Sequence, residues 1–324
     1  MTAIICIICV IVGLAAILIG THYILKAYVR AGIPAGGAYT HSMKREKILW
    51  KYDKIARLSV TYAVLVLVCC STIFPFFWMI STSLKTVAEA TNTSRVILFP
   101  SEAQWQNYAR AFTELDILTG MKNTLIVEIG TIPIGMFASA LVAYAFAKMR
   151  LRHKTFWLLF LMSGLMVPYA SVLLPQYKIY LMLGLTNTLW PLILPSLFGN
   201  VSVMFFFIQF MRGIPNDLFE AAKLDGAGYF QSFVLVMLPN IWLPIICQVV
   251  FSFVSHWNDF FGPSIYLTSD ATKTLQVKLY TFATNADKPL LYAASFITCL
   301  PLFVVYLCFQ KFFVGSLAIT GIKG

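Results

Sequence analysis

The chain has 324 residues, of which 59% are hydrophobic and 11% charged, where a soluble domain carries about 25% charged residues. So little charge cannot cover a water-facing surface, so lipid must be the solvent for much of the chain, which reads as a polytopic membrane protein. The net charge of +11 sits in Lys and Arg clustered between apolar runs rather than on a basic soluble domain, so no nucleic-acid partner is expected.

In chain order, seven apolar runs approach the ~20 residues that a spanning helix needs. The first extends roughly from Thr2 to Leu25. No basic stretch precedes it and its positive charges follow it, the reverse of a secretory signal peptide. Cys6 and Cys9 form a C-x-x-C among Ile and Val. Like Cys69, Cys70, Cys247, Cys299 and Cys308, they read as small hydrophobes within helices, and no metal or redox site is expected. A flexible connector follows, "GIPAGG" from Gly32 to Gly37. Met43-Lys44-Arg45 would make an ordinary basic start for a six-helix protein. The expected organisation is therefore an extra N-terminal transmembrane helix and linker over residues 1–42, then a core over 43–324.

The remaining runs extend from Leu58 to Leu84, Gly120 to Ala147, Thr155 to Leu174, Leu189 to Met211, Pro239 to Phe261 and Leu291 to Phe313. Lys26, Arg30, Lys44, Arg45, Lys47, Lys51, Lys54 and Arg57 place the first connector in the cytoplasm, and Lys148, Arg150, Arg152 and Lys154 do the same two crossings later. Between them, residues 85–119 carry Glu89, Glu102, Glu114 and Asp116 with few bases and fall outside. By alternation Gly213 to Leu238 and the tail after Phe313 face in, and Gly262 to Pro289 faces out. Pro133, Pro168, Pro195 and Pro244 are expected to kink their spans around a cavity.

One of these inward segments is unusual. "EAAKLDGAG", Glu220 to Gly228, is small and polar between two lipid-like runs. Pro215 suits a helix start, and Asp217 and Glu220 in the first turns offset the helix dipole. Leu218, Ala221 and Ala222 share a face, and Asp225-Gly226 stops the helix because Gly tolerates positive φ. Such a helix is too short to stand alone and needs a groove to lie in. Packing on its own protein and docking on a partner both meet that need.

The wider spacing resembles the inner-membrane permease subunits of binding-protein-dependent ABC importers. Their signature is E-A-A, three residues, G, nine residues, Ile, one residue, L-P. Here it reads Glu220-Ala221-Ala222, Gly226, Val236 and Leu238-Pro239, with Val in place of Ile. "WQNYARAF" from Trp105, "AYAFAKMRLRHK", "GLTNTLWPLILP" from Gly184, "WNDFFGP" from Trp257 and the tail "FFVGSLAITGIKG" are similar to segments of the maltose-type carbohydrate class, the MalG-like subunit. The resemblance runs from about Met43 to the C-terminus. It implies an all-α type I permease fold with six core spans, and a coupling helix within about 214–238 that docks into a cleft of an ATPase subunit. It also implies a C-terminal tail, 314–324, inserted between two ATPases through residues such as Thr320, Gly321 and Lys323. Implied partners are a second, different permease, two ATPase subunits and an external solute-binding protein, with membrane lipid around the spans.

For the path itself, Gln248, Ser252, Ser255 and Asp259 are spaced 4, 3 and 4, one face of a helix. That face should meet a cavity or another helix, since polar groups in hydrocarbon are costly. His256 and Asn258 flank it, and Val249, Val250 and Phe253 are expected to face lipid. Asn200, Ser202 and Gln209 lie in the fifth span and Glu128 in the third, the latter either a site or an acid that is protonated or paired, as with Lys122 near the outer end. Asn, Gln and Asp suit uncharged, hydroxyl-rich solutes. No G-x-x-x-x-G-K-[ST] loop and no H-E-x-x-H occurs. The chain is thus not expected to be an enzyme or to bind a cofactor, and ATP and Mg belong to partner subunits. An ion-coupled secondary transporter is the alternative, but no internal repeat supports it.

Overall fold

The computed structural model describes residues 39–92, 94–283 and 287–321, with side chains at 54, 57–92, 94–283 and 287–312. All regular structure among them is helical. The expected extra helix over 1–42 falls almost wholly outside the described residues. By contacts the chain divides between Met79 and Ile80. In the first unit the described element is α1, Tyr39–Ser83, which continues past the division and whose stretch Arg57–Ser83 is 27 residues long and apolar enough to cross a bilayer.

The second unit opens with a capped turn. Thr86 and Glu89 form a capping box at the short helix Val87–Thr91. Then come α2, Gln106–Thr113, and α3, Ile117–Lys148, a 32-residue span that runs unbroken through Pro133. Next are α4, Lys154–Ser163, and α5, Tyr169–Met182. The expected straight span from Thr155 to Leu174 is not straight. Lys154–Met166 and Tyr169–Met182 meet at 91°. Pro168 sits at that joint, where it denies the preceding residue helical geometry.

The fifth run crosses as Trp190–Arg212 but changes character inside. A tight turn of helix at Leu194–Phe198 yields at Gly199 to α6, Val201–Arg212. Gly199 has φ +72°, and a Cβ there would come within 2.9 Å of Ser139 Oγ and 3.0 Å of the Ser139 nitrogen. Only glycine lets the chain reverse that close to α3. Asn200 caps α6 by accepting from the Ser202 and Val203 amides at 2.8 and 3.3 Å.

After α7, Asp217–Leu224, the chain re-enters as Tyr229–Asn240 and bends 76° into α8, Trp242–Trp257. The sixth span therefore begins ten residues before the expected Pro239, and its break lies at Ile241 rather than at Pro244. Two prolines explain this. Pro239 offers no N–H to Leu235 and crowds its carbonyl, and a wide π turn occupies Phe233–Met237 just upstream. Pro244 likewise offers nothing to Asn240, so the upstream helix cannot run on. The chain closes with α9, Leu275–Ala283, and α10, Lys288–Gly321.

Three buried clusters hold the described residues of this unit, and two of them are larger than the third. In the first, Ala140, Ala143 and Tyr144 of α3 meet Phe207, Ile208 and Met211 of α6 and Phe219, Phe233, Met237 and Ile241 beyond. Alanine on α3 lets α6 approach closely. In the second, Ala111, Ile117, Trp257, Leu275 and Leu290 pack together, and Trp257 Nε1 donates to the Thr298 carbonyl at 3.0 Å. At one end of α3, Asp116 has φ +49° and accepts from Lys278 Nζ at 2.6 Å. Arg110 bridges Glu114 and Asp287, each at 2.7 Å, tying α2 to the start of α10.

Candidate functional site

The signature residues divide into a surface helix and a helix break. α7 starts at Asp217, two residues after Pro215, with Asn216 as its non-bonding N-cap. It ends in a Schellman motif. Ala227 donates to the Ala222 carbonyl at 2.9 Å and Gly226, at φ +82°, to the Lys223 carbonyl at 3.0 Å. A Cβ at Gly226 would touch nothing within 4 Å, so the backbone angle alone calls for glycine there. The helix is fixed from below by Phe219, 8% exposed, against Tyr144 and Phe233. The sequence pattern marks Leu218, Ala221 and Ala222 as one face, for packing or docking alike, and does not single out Phe219. An aromatic inside an otherwise small-residue helix was the available signal.

Leu218, Glu220, Ala221, Leu224, Asp225 and Gly226 are exposed, and Ala222 is half-buried. The free face is thus apolar with acids at both ends. Lys148, the last residue of α3, reaches the Ile214 carbonyl at 2.5 Å and Asn216 Oδ1 at 2.9 Å, and lies over the Phe219 ring. α7 is therefore tied to α3 by both ring packing and a charge-assisted cap. The second half of the signature is inside. Val236 and Leu238 pack on the first cluster, and Pro239 stands exposed in the last helical turn before the break at Ile241.

The expected polar face of α8 comes apart. Ser252 of α8 and Asn200 at the head of α6 line one cavity of about 180 Å³, together with Thr131, Ser196 and His256. Gln248 is half-buried on α8 and Ser255 exposed, and neither lines the cavity. Asn258 caps the end of α8 and bonds back to the Val254 carbonyl at 2.7 Å. Asp259 lies beyond the helix, where it accepts from the Gly262 amide at 3.4 Å. A four-residue step from Ser255 cannot preserve the face because α8 ends at Trp257. The neighbours expected in lipid are not there either. Val250 is 6% exposed, Val249 and Phe253 pack on the first cluster, and Phe253 stacks on Trp257. Glu128 does not pair with Lys122. Its Oε2 lies 3.4 Å from His256 Nδ1 on α8. Ser202 and Gln209 are both exposed, and neither lines the cavity.

Electrostatics outside the spans are settled by local pairs. The Ser101 side chain and the Thr86 and Ser101 amides hold the Glu89 carboxyl down to about 2. Lys278 holds Asp116 below the usual carboxylate range. Of the expected tail residues, Thr320 and Gly321 end the backbone of α10, and Lys323 lies outside the described residues.

With this geometry in hand, comparison with known proteins is specific. Residues 131–318 match the family model described as binding-protein-dependent transport system inner membrane component. The arabinooligosaccharides transport system permease protein AraQ of Halalkalibacterium halodurans is 28% identical over 256 residues, covering 78% of this chain and 91% of that one. The diacetylchitobiose uptake system permease protein NgcG of Streptomyces coelicolor is 29% identical over 265 residues, covering 80% and 87%. The lactose transport system permease protein LacG of Rhizobium radiobacter is 27% identical over 265 residues, covering 80% and 94%. Among solved structures, a crystal structure of a bacterial ABC transporter involved in the import of the acidic polysaccharide alginate superposes with a TM-score of 0.70, at 20% identity, over 81% of this chain and 97% of that one. At that identity the likeness speaks for the fold, that of an ABC importer permease.

Proposed function

This chain belongs to the family of binding-protein-dependent transport system inner membrane components, and on that premise we propose that it is one of two permease subunits of an ATP-driven carbohydrate importer. As a family member it is a membrane permease rather than a catalytic enzyme. In the proposed complex it lines the pore with a second, different permease. Two ATPase subunits hold ATP and Mg, and an external binding protein delivers an oligosaccharide or sugar derivative. α7 and the C-terminus face the cytoplasm, in keeping with the basic residues Lys148, Arg150, Arg152 and Lys154 beside α7.

The observation that carries this reading is α7 itself: an exposed apolar stripe with acids at its ends, anchored beneath by Phe219 and Lys148. A helix this short needs a groove, and among the described residues Leu218, Ala221 and Leu224 on its free face are exposed. An ATPase that closes on nucleotide would push α7, and rigid contacts carry the push to the end of α3. The chain from Gly228 then leads through the π turn to the 76° bend, so the same push tilts α8 beside the cavity. The carbohydrate assignment is supported by the named solutes of AraQ, NgcG and LacG. It is also supported by the uncharged hydroxyl and amide groups of Asn200, Ser196 and Ser252 in the cavity.

The test is reconstitution. The chain is co-expressed with the permease and ATPase of its own transport system and placed in liposomes. Uptake of arabino- or chito-oligosaccharides is then measured with binding protein outside and ATP inside. Uptake that requires ATP and binding protein supports the proposal. Uptake driven by an ion gradient without either overturns it.

A further inference from the structure

Glu128 is the buried group that the transport reading leaves unexplained. Its side chain is 3% exposed, and neither carboxylate oxygen has a hydrogen-bond partner among the described residues. The basic group facing it is His256, whose Nδ1 lies 3.4 Å from Oε2 and 3.3 Å from Thr131 Oγ1. Thr131 spends its single hydroxyl hydrogen on carbonyls of its own helix, Val127 at 2.8 Å and Glu128 at 3.4 Å. Toward His256 that hydroxyl can only accept. Nδ1 therefore carries a proton, and Nε2 is the ring nitrogen with no protein partner among the described residues.

What occupies Nε2 follows from Glu128. A lone ionised carboxylate at this depth is strongly disfavoured. A neutral carboxyl costs far less than a lone charge, yet it still needs a partner for its oxygens, and Nδ1 is the group placed to supply one. An imidazolium answers both deficits, because Nδ1–H faces the carboxylate while the second proton sits on Nε2. Asp259, on the loop after α8, is the other acid that interacts electrostatically with the ring. His256 is 38% exposed at its side chain and lines the cavity, whose other lining residues include no Lys, Arg, Asp or Glu.

We propose that Glu128 and His256 form an ion pair spanning α3 and α8, and that its imidazolium presents Nε2–H to the cavity as a fixed donor for oxygen atoms of the transported solute. Glu128 is then a positioning residue that never touches solute. The solute part rests on the carbohydrate-transport reading; the ion pair does not. Oxygen acceptors on a sugar, whether hydroxyl or carboxylate, are the chemistry this donor takes.

The assembled complex in lipid nanodiscs is labelled with ¹⁵N-histidine. The chain has four histidines, and loss of one signal in His256→Asn identifies the ring. At neutral pH the wild type should show both His256 ring nitrogens protonated. A bare Nε2 in the wild type overturns the proposal, and this needs no variant to fold. In Glu128→Gln the ring should become neutral with Nδ1 alone protonated; an imidazolium that survives there means that Glu128 does not hold it, and overturns the pairing. The solute arm is read by oligosaccharide-stimulated ATP hydrolysis. Glu128→Gln should raise the half-saturating solute concentration about tenfold, the scale of one charged hydrogen bond. An unchanged value beside a neutralised ring overturns the donor role and leaves the ion pair standing. Failure of the wild type to transport any sugar would instead strike the function reading, without altering the spectrum.

Discussion

Gly226 shows how a single residue can be dictated by backbone angle alone. It sits at φ +82° with open space where a Cβ would be. Gly226→Val therefore meets no neighbour but stores about 1–3 kcal/mol of backbone strain, enough to unwind the Schellman turn of so short a helix. Transport should be lost while membrane insertion is retained. Gly226→Asn, which tolerates the left-handed region, should keep most of the activity. ATP-dependent uptake by both variants decides the matter, and normal uptake by the valine protein would refute the assignment. Glu89 makes a prediction about acid. Its carboxylate accepts from the Thr86 amide, the Ser101 amide and both side-chain hydroxyls, and is held down to about 2 from an ordinary 4.5. A depressed carboxyl contributes stability that is present in full above the ordinary value and lost as pH falls through the folded one. Amide exchange at Ser101 should stay slow as pH drops through about 4 and accelerate only on approaching 2. Equal acceleration in a Glu89→Gln protein would show that the carboxylate plays no part.

Between elements, α7 matters through its underside. Phe219 joins it to Tyr144 and Phe233, and Lys148 caps the turn before it. Phe219→Ala should cost roughly 3 kcal/mol, the low end for removing a buried ring, since this one lies at the cluster's edge. The expected phenotype is a complex that assembles and hydrolyses ATP but transports poorly, because the push is no longer passed to α3. Parallel loss of hydrolysis and transport would argue for misfolding instead. On α8, cysteine at Ser252 should react with small aqueous reagents, whereas cysteine at Val250 or Phe253 should not, after the native cysteines are replaced. Val250 and Phe253 are shielded by protein packing rather than by lipid. Their protection should therefore persist in detergent, where a lipid-shielded thiol would become reactive. Labelling at Val250 in detergent would contradict the packing described here.

At the scale of the whole molecule, the described chain offers four long apolar helices, or six spans if each bent pair counts as one. Six is the number expected for the core, so a truncation beginning at Met43 should still assemble with its partners. Substrate-stimulated ATP hydrolysis by that shortened complex is the measurement, and its collapse would make the first 42 residues structural. The two bends also have a consequence for motion. A span broken at Pro168 and another at Ile241 can tilt one half without the other, which straight helices cannot do.

The sequence by itself determined the membrane class, the approximate place of most spans and the Glu220–Pro239 spacing. Each rests on local chemistry: apolar run length, basic flanks, and residues whose backbone or bonding needs are intrinsic, such as Gly226 and Pro239. It also announced that Glu128 and Asn200 were polar groups in apolar surroundings. What it could not supply was which groups meet. Within its own segment Glu128 has only Lys122, near the outer end, as a basic partner, yet His256 on another helix stands beside it. The supposed stripe from Gln248 to Asp259 assumed that one helix continues past Trp257, and the helix stops there. Asn200 and Ser252 share a cavity only because Gly199 lets the chain turn against Ser139 and carries the head of α6 toward α8. Period and composition are properties of one segment. The partner of a buried charge and the lining of a cavity are properties of several segments packed together, and only the tertiary structure decides them.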